Sequence, residues 1–426
     1  MEIQNLNSEI RNPLRVCFVS RRFFPTISGM SVYAANLLRE LVNSGVDVTL
    51  VSQYRTDALG VKVYGGGAPP EVAGVKVIGL ELVGEQNGGD FETDIQRIVE
   101  TIKSEHALKP FDVLHAQYGY PTGFAALEAG KILGVPVVVS IQGGDGHWVG
   151  VGCCETHRDA MRIVLENANE ILIGSRSFAA EVEENHSVDV SRFTIVPGAV
   201  DTNRFVPRED WQAGKLIDDN NPTILYHGRV DRRKGALDLL EAFNVLINEI
   251  DVKPTLVYSG IGPDFEAVKS RVEELNLGES VKMLGYVEYE SVPEVYKKAD
   301  VFASPTYAEG FSNTILEAMA AGLPIVSTES VGVVDCLRDG DNGLLVEIGS
   351  VEELKNALRR VLTGENLRKM LAQNALDECR AGYSWKKIGR QIIEIYERVR
   401  DENPRGDWNF TTVRDDCRYR RTPHLL

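Results

Sequence analysis

Two glutamates stand eight residues apart in the stretch AEGFSNTILEAMAAGLP, residues 308–324. Glu309 lies in a glycine-containing loop, and Glu317 lies about one turn into the helix predicted to follow. A free carboxylate repels phosphate, but it can grip a vicinal diol through two charge-assisted hydrogen bonds. The two acids are therefore candidates for binding hydroxyl groups of one ligand.

The start of the predicted helix offers a complementary feature. Ser312 is placed to cap it, and the unpaired N–H groups at a helix N-terminus attract an anion. The groups concerned are those of Gly310, Phe311, Ser312, Asn313 and Thr314. A ligand with a diol, a diphosphate and a second diol in series fits this arrangement, and such a ligand is a nucleotide sugar. The alternative is a capped helix carrying two unrelated acids.

A second candidate stretch is HGRVDRRKG, residues 227–235. It follows a predicted strand and carries Arg229 and Lys234 just before Gly235. A guanidinium fork and an ammonium point charge at a helix start suit a diphosphate. The alternative is a solvated basic turn.

Two glycine-containing loops also follow predicted strands. In residues 20–33, Ser28 and Gly29 precede a helix, so the backbone there could approach a phosphate, although a tight turn would have the same residues. The stretch SGIGPD, residues 259–264, lacks the third glycine of a dinucleotide-binding fingerprint and is interpreted as a turn.

Polar residues in the first half follow two further strands. His115 and Gln142 stand near strand ends, and Asp145 and His147 stand in a glycine loop. All four are candidates for contacts on the acceptor side, although a histidine at a strand end is often a packed residue. No HxxxH or HExxH pattern occurs, so no metal site is predicted.

These residues need a scaffold in which strands and helices alternate, because only parallel sheets bring the ends of several strands to one edge. In the first half the pattern predicts strands at 14–20, 46–53, 111–118, 135–142, 170–175 and 193–201, and helices at 30–45 and 122–134. The glycine-rich stretch 60–77 is expected to be a loop or a short hairpin.

After a polar, proline-containing linker at 200–222 the alternation restarts. The second half has predicted strands at 223–228, 255–260, 281–287, 300–305 and 323–330, and helices at 235–250, 264–278, 291–299 and 313–322. The fold class is therefore α/β, with two doubly wound domains facing across a cleft. The domain bounds are placed at 1–203, 204–385 and 386–426, the last containing a helix at 384–400 and a polar tail.

Composition limits the partners. The net charge of −16 argues against nucleic acid, because phosphate contacts require clustered Lys and Arg. The longest apolar run, residues 132–141, is half the length of a membrane-spanning helix and contains a proline. The N-terminus does not resemble a signal peptide, and the six cysteines form no CxxC pair, so we expect reduced thiols and a cytoplasmic location. The basic tail is expected to be a solvated end.

Together these motifs resemble glycosyltransferase family 4, the retaining nucleotide-sugar transferases with the GT-B fold. The resemblance spans residues 14–400 and includes the glycine loop at 28–29, the Arg229 and Lys234 pair, Gly260 and Gly262, the Glu-x7-Glu motif and the crossing segment VPGAVDTNRF at 196–205. The order of the motifs is far more specific than any one of them.

The resemblance implies a role for each matching residue. Arg229 and Lys234 would neutralise the diphosphate, Glu309 would contact the transferred sugar, and Glu317 would bind the ribose. The amides of Phe311 and Ser312 would lie near the diphosphate and the sugar.

The base would rest near Tyr286 and Val287, and Gly29 would approach the phosphates from the other domain. The resemblance further implies a UDP-, GDP- or ADP-linked hexose donor, no metal or other cofactor, and an acceptor hydroxyl on a glycan, glycolipid or small sugar. The missing anchors favour a soluble acceptor or a loose peripheral membrane contact, and the helix at 384–400 is expected to pack on the first domain.

Two positions depart from the family pattern. The family often has two glycines where this chain has Ser28 and Gly29, and often a histidine where it has Gln142, which cannot be protonated. Two other functions stay open: the protein could be a nucleotide-sugar epimerase, or a subunit that binds nucleotide sugars without catalysis. The presence of Arg229, Lys234, Glu309 and Glu317 together argues against the second.

Overall fold

The computed structural model describes residues 13–26, 28–58, 60–61, 65–143 and 154–422. They form two parallel β-sheets with helices on both faces, so the prediction of two doubly wound α/β domains is confirmed. No helix in these ranges combines the length and apolar character that crossing a membrane requires.

The first domain is built on seven strands. They are β1 Arg15–Ser20, β2 Asp47–Tyr54, β3 Val75–Glu81, β4 Val113–Gln117, β5 Val137–Ile141, β6 Glu170–Ile173 and β7 Phe193–Ile195. Its described helices are α1 Gly29–Asn43, α2 Val83–Gln86, α3 Phe91–Leu108, α4 Phe124–Leu133, α5 Glu155–Asn167 and α6 Arg176–His186. The strand order is β3-β2-β1-β4-β5-β6-β7, with every pair parallel. The predicted loop at 60–77 therefore ends in β3, which pairs with β2 rather than forming a hairpin.

The second domain has a six-stranded sheet. Its strands are β8 Thr223–His227, β9 Thr255–Ser259, β10 Val281–Gly285, β11 Val301–Ser304, β12 Ile325–Thr328 and β13 Leu344–Val346. Its helices are α7 Ala236–Leu246, α8 Phe265–Glu274, α9 Val292–Lys297, α10 Asn313–Ala320, α11 Val351–Thr363 and α12 Glu365–Gly382. The order is β10-β9-β8-β11-β12-β13, again parallel throughout.

The strand orders fix where a ligand can bind. In the first sheet the chain adds strands on one side of β1 and then continues with β4 on the other side. In the second sheet the same change of direction lies between β8 and β11. Loops diverge at the carboxyl ends of such strand pairs and leave a crevice. Central strands such as β1, β4 and β5 are entirely buried, which is typical of parallel sheets covered by helices on both faces.

The chain returns to the first domain after α12. Helix α13, Trp385–Val399, packs on α1, where the Trp385 ring meets the Tyr33 ring edge-on with centroids 5.1 Å apart. Ile392 and Tyr396 of α13 are fully buried in the same core cluster as residues of β1 and β2. The helix thus ties the end of the second domain to the first.

The segment that follows, residues 401–422, is not the solvated tail that composition suggested. Val413 and Cys417 are buried, the Trp408 ring packs on Phe124 with centroids 5.2 Å apart, and Arg420 pairs with Glu92 at 2.8 Å. It ends in the one-turn helix α14, Arg418–Arg421. Arg414, Arg418 and Arg421 are exposed, but the apolar residues of the segment insert between α3, α4 and α5, a contact that charge composition does not reveal.

The buried position of Val413 makes this docking testable. We expect Val413→Asp to lower the free energy of unfolding by about 2 kcal/mol or more, because it buries a carboxylate without a partner. Thr412→Asp, at the exposed neighbouring position, is the matched control and should have little effect. Equal urea-unfolding curves for the two variants would contradict the docked arrangement.

Candidate active site

The loops after β8 and β11 meet at the crevice of the second sheet. Gly235 has a left-handed φ of 69°, and a Cβ at this position would lie 2.0 Å from the carbonyl oxygen of Pro305. The backbone N–H of Tyr307 donates to the carbonyl of Arg233 at 2.9 Å. A residue with a side chain at 235 would push the loops apart, so this glycine allows their contact.

This contact brings Lys234 to Glu309. The Lys234 ammonium lies 2.7 Å from Glu309 Oε1 and donates to the Ala308 carbonyl at 3.1 Å. Their side chains are 31% and 21% exposed, so the pair is partly buried and still open to a ligand. One predicted cation and one predicted carboxylate are thus in direct contact.

Arg229 is held at the same edge by Asp231. Its Nε lies 3.4 Å from Asp231 Oδ2, and Arg233 donates to the same carboxylate at 2.6 Å. Burial alone would raise the pKa of Asp231, but the hydrogen bonds and charge of Arg233 and the charge of Arg229 lower that pKa below its usual value. The ionised carboxylate anchors the base of the Arg229 guanidinium, while 43% of the Arg229 side chain stays exposed.

The N-terminus of α10 lies beside the Lys234–Glu309 pair. Ser312 occupies the N-cap position, but its hydroxyl lies 3.3 Å from Thr314 Oγ1 and accepts no backbone N–H, so the predicted side-chain cap is wrong. Within the described ranges nothing accepts a hydrogen bond from the N–H groups of Gly310, Phe311 and Ser312. These groups can therefore bind an anion.

Glu317 lies deeper in the same region. Tyr296 donates its hydroxyl hydrogen to Glu317 Oε2 at 2.8 Å, and the Tyr296 ring packs on His227 at the end of β8, with centroids 5.4 Å apart. Burial raises the pKa of Glu317 to about 7, although the Tyr296 hydrogen bond and the charge of Arg204 act in the opposite direction. The protonation of Glu317 therefore changes near neutral pH.

The remaining residues predicted on this side have different environments. A Cβ at Gly260 would lie 1.9 Å from the Gly228 carbonyl oxygen, so this glycine serves the close packing of the loops after β8 and β9. Tyr286 is half exposed just beyond β10, and Val287 packs against the core. Asn313 has a buried side-chain oxygen that accepts no hydrogen bond within the described ranges.

The first domain faces this site through two loops. Gly29 begins α1 after Ser28, whose hydroxyl accepts the Ser31 N–H at 3.2 Å, and a Cβ at Gly29 would meet nothing within 4 Å. The domains touch at Gly310, where a Cβ would lie 2.6 Å from the Gly143 nitrogen. Gly29 thus borders open space, and Gly310 fills a close contact between domains.

The four residues predicted on the acceptor side lie in different environments. His115 is fully buried, bonded to Ser140 Oγ at 2.8 Å and to the Tyr396 hydroxyl, and burial lowers its pKa to about 3. It is a core residue that does not reach the cleft, because its side chain points toward α13. Gln142 accepts a hydrogen bond from Gln117 at 3.0 Å. Asp145 and His147 lie outside the described residues.

Comparison of the sequence with models of known protein families shows to which family the chain belongs. Residues 28–199 match the model described as "Glycosyl transferase 4-like domain", and residues 207–378 match "Glycosyl transferases group 1". The two matches lie in consecutive order and cover most of both domains. The chain belongs to glycosyltransferase family 4.

Individual proteins are similar over most of the chain. The D-inositol 3-phosphate glycosyltransferase of Corynebacterium urealyticum is 25% identical over 390 residues, which cover 86% of this chain and 90% of that protein. Sucrose-phosphate synthase from Thermosynechococcus elongatus has a TM-score of 0.75 at 22% identity, covering 91% of this chain and 99% of that one. HepE from Anabaena, solved in complex with UDP and glucose, has a TM-score of 0.67 at 16% identity, covering 90% and 100%. The expected GT-B fold is therefore confirmed.

Several residues that shape the glycosyltransferase site were missed from sequence. Asp231 anchors Arg229, and Tyr296 binds Glu317. Ser175 donates its hydroxyl hydrogen to the Gly310 carbonyl at 3.1 Å, and Asp335 accepts the Arg176 N–H at 2.9 Å, both across the domain boundary. Only Asp231 had a sequence signal, since it stands among arginines in HGRVDRRKG.

No cluster of three His, Cys, Asp or Glu side chains that could hold a metal ion occurs in the part of the chain that the structure describes. The charged groups that converge at this glycosyltransferase site are instead Arg229, Lys234 and Glu309, with the ionisable Glu317 behind them.

The raised pKa of Glu317 predicts a pH-dependent stability. Between the ordinary pKa of 4.5 and the folded-state value of about 7, the folded protein binds more protons at Glu317 than the unfolded chain does. Stability is therefore lost as the pH rises through 7. Relative to Glu317→Gln, the wild-type free energy of unfolding should fall by roughly 2–3 kcal/mol between pH 5 and pH 8. Urea unfolding at both pH values measures this difference, and Glu294→Gln, at an exposed position of α9, is the control. If the free energy of unfolding changed equally with pH in all three proteins, the pKa of Glu317 would not be raised.

Proposed function

We propose that this glycosyltransferase moves a hexosyl unit from a nucleoside-diphosphate sugar to an acceptor hydroxyl with retention of anomeric configuration. The observation that carries the proposal is the contact of Lys234 with Glu309 beside N–H groups at the start of α10 that have no acceptor within the described ranges. The Lys234 ammonium, these N–H groups and the Glu309 carboxylate would then contact a single nucleoside-diphosphate sugar.

The diphosphate would lie against the N-terminus of α10, between Arg229 and Lys234. Cleavage of the bond between sugar and phosphate leaves negative charge on the departing diphosphate. Fixed positive groups stabilise this charge in the transition state without reorganising. In this proposal the two side chains and the N–H groups of residues 310–314 supply the positive charge, with no metal ion required.

The sugars would lie on either side of the diphosphate. Glu309 would accept hydrogen bonds from hydroxyls of the hexose, and Glu317 would accept them from the ribose when it is ionised. The base would rest near Tyr286 and Val287, while Gly29 lets the backbone of the first domain approach the phosphates. The complex of the similar HepE with UDP and glucose supports a nucleotide donor of this kind.

Retention follows in this proposal if the acceptor attacks from the side on which the diphosphate leaves. A bond forms between the acceptor oxygen and the anomeric carbon, the bond from that carbon to the phosphate oxygen breaks, and the acceptor proton passes to the departing diphosphate. This step requires no carboxylate nucleophile, because the acceptor oxygen attacks the anomeric carbon directly. Glu309 is instead paired with Lys234, and Glu317 is buried.

Lys234 provides the most direct test of the mechanism. Lys234→Ala should lower the rate of sugar transfer, and of donor hydrolysis, by roughly 100- to 1,000-fold, because one group that stabilises the leaving diphosphate is removed. Lys269→Ala, at an exposed position of α8, is the control. Nucleotide-sugar binding without turnover in the wild type would favour a binding subunit, and formation of an epimerised sugar without transfer to any acceptor would favour an epimerase.

Gly29 tests the approach of the first domain to the donor. Since a Cβ at this position meets no atom within 4 Å, Gly29→Val should leave the melting temperature of the free protein within about 2 °C. The variant should lose the rise in melting temperature that a nucleoside diphosphate produces in the wild type, because the added side chain occupies the space next to the phosphates. An undiminished rise would show that the ligand does not approach Gly29.

A further inference from the structure

The peptide between Gly310 and Phe311, at the start of α10, is held from the first domain. Ser175, which follows β6 and caps α6, donates its hydroxyl hydrogen to the Gly310 carbonyl at 3.1 Å. The same hydroxyl accepts the Phe178 N–H at 3.2 Å, so its hydrogen is left for the Gly310 carbonyl. Ser175 is 1% exposed, and the contact is therefore shielded from water.

The two domains approach each other closely at this peptide. A Cβ at Gly174 would lie 2.8 Å from Phe311 Cβ and 3.0 Å from the Gly310 carbonyl oxygen. A Cβ at Gly310 would lie 2.6 Å from the Gly143 nitrogen. Side chains at positions 174 and 310 would push the domains apart, so the two glycines allow Ser175 to reach the Gly310 carbonyl.

The backbone before this peptide is fixed by the loop after β12. Glu309 donates its N–H to the Val331 carbonyl at 3.0 Å. The next residue of that loop, Gly332, donates its N–H to the Ser177 hydroxyl of the first domain at 2.9 Å. Because residue 309 is held in this way, the direction of the next peptide plane depends on what binds its carbonyl.

The carbonyl of a planar trans peptide determines where its N–H points, since the two groups point in opposite directions. The hydrogen bond from Ser175 to the Gly310 carbonyl therefore sets the direction of the Phe311 N–H, which meets no acceptor among the residues that the structure describes. Gly310 has no side chain to restrict rotation, so without this hydrogen bond the peptide could turn. Its carbonyl oxygen would then face an anion that the N–H attracts.

We propose that Ser175 is a positioning residue for glycosyl transfer, which holds the Gly310 carbonyl and so directs the Phe311 N–H toward the donor diphosphate. This role rests on the glycosyl-transfer function proposed above. A hydroxyl of the first domain sets the direction of an amide of the second domain, beside the Lys234–Glu309 pair. An amide held in advance stabilises the leaving diphosphate without reorganising. Ser175 itself does not touch the donor, so its effect is confined to the phosphates.

Binding of a nucleoside diphosphate tests the direction of this N–H. Isothermal titration calorimetry gives the Kd of UDP, GDP or ADP, whichever the wild type binds most tightly, and the Kd of the corresponding nucleoside. Ser175→Ala should raise the Kd of the diphosphate roughly 5- to 20-fold, because a hydrogen bond to a charged group is weakened. The Kd of the nucleoside should stay the same. Ser175→Thr, which keeps the hydroxyl, should bind both ligands as the wild type does.

The loss of the helix cap is controlled separately. Ser350 caps α11 as Ser175 caps α6, by accepting the Glu353 N–H at 3.4 Å, so Ser350→Ala removes a cap within the second domain. This control should lower the melting temperature but leave both Kd values unchanged. Ser175→Gly lacks the hydroxyl but places a residue type that is favoured at a helix start. It should weaken diphosphate binding as Ser175→Ala does, and it replaces that variant if alanine prevents folding.

Turnover separates positioning from a merely structural role. With the sugar donor of the same base, Ser175→Ala should lower kcat for donor hydrolysis by roughly 10- to 100-fold and change KM less, because negative charge on the diphosphate grows toward the transition state. Ser175→Thr should restore kcat. A role confined to stability would lower the melting temperature of Ser175→Ala and leave its kcat unchanged at a temperature where the variant is folded.

The titrations also contain the results that would overturn this role. They are an unchanged diphosphate Kd in Ser175→Ala and Ser175→Gly, an equal loss of affinity for the nucleoside, and a Ser175→Thr variant that binds as weakly as Ser175→Ala. If the wild type binds no nucleoside diphosphate, the donor proposal itself has failed and the role of Ser175 falls with it. That result is distinct, because it appears before any variant is compared.

Discussion

The site depends on a close approach between the loops that follow β8 and β11. Gly235 makes this approach possible, since any side chain there would meet the Pro305 carbonyl. The approach sets Lys234 against Glu309, just before α10, whose first N–H groups meet no acceptor among the described residues. Without a ligand the ammonium is neutralised by the carboxylate. A bound diphosphate would share the Lys234 charge and leave Glu309 oriented toward the sugar.

The second constraint is the position of the first domain over this site. The domains are joined at Gly310, through the Ser175 hydroxyl, and at Asp335, which caps the start of α6. The returning helix α13 and the segment at 401–422 then pack on the first domain. In the proposed reaction, a donor on the second domain and an acceptor on the first would therefore be held by a connected scaffold. The geometry of the cleft is set by these contacts as much as by the residues that line it.

Local patterns predicted the fold and much of the site, because strand and helix periods are short and the glycines and cations follow strand ends directly. Arg229, Lys234, Glu309 and the start of α10 could be grouped for this reason. Contacts between distant segments could not be predicted: the docking of the tail, the burial of His115 against α13, and the burial that raises the pKa of Glu317. These depend on which helix faces pack together, which a single sequence does not encode in any short pattern.

The central claim is that one nucleotide sugar spans the Lys234–Glu309 pair and the N-terminus of α10. A crystal structure with an unreactive nucleotide-sugar analogue tests it most directly. The account predicts diphosphate oxygens within hydrogen-bond distance of Arg229, Lys234 and the N–H groups of residues 310–314, with the ribose on Glu317 and the hexose on Glu309. A nucleotide bound elsewhere, or a diphosphate that leaves the Lys234 ammonium untouched, would contradict it.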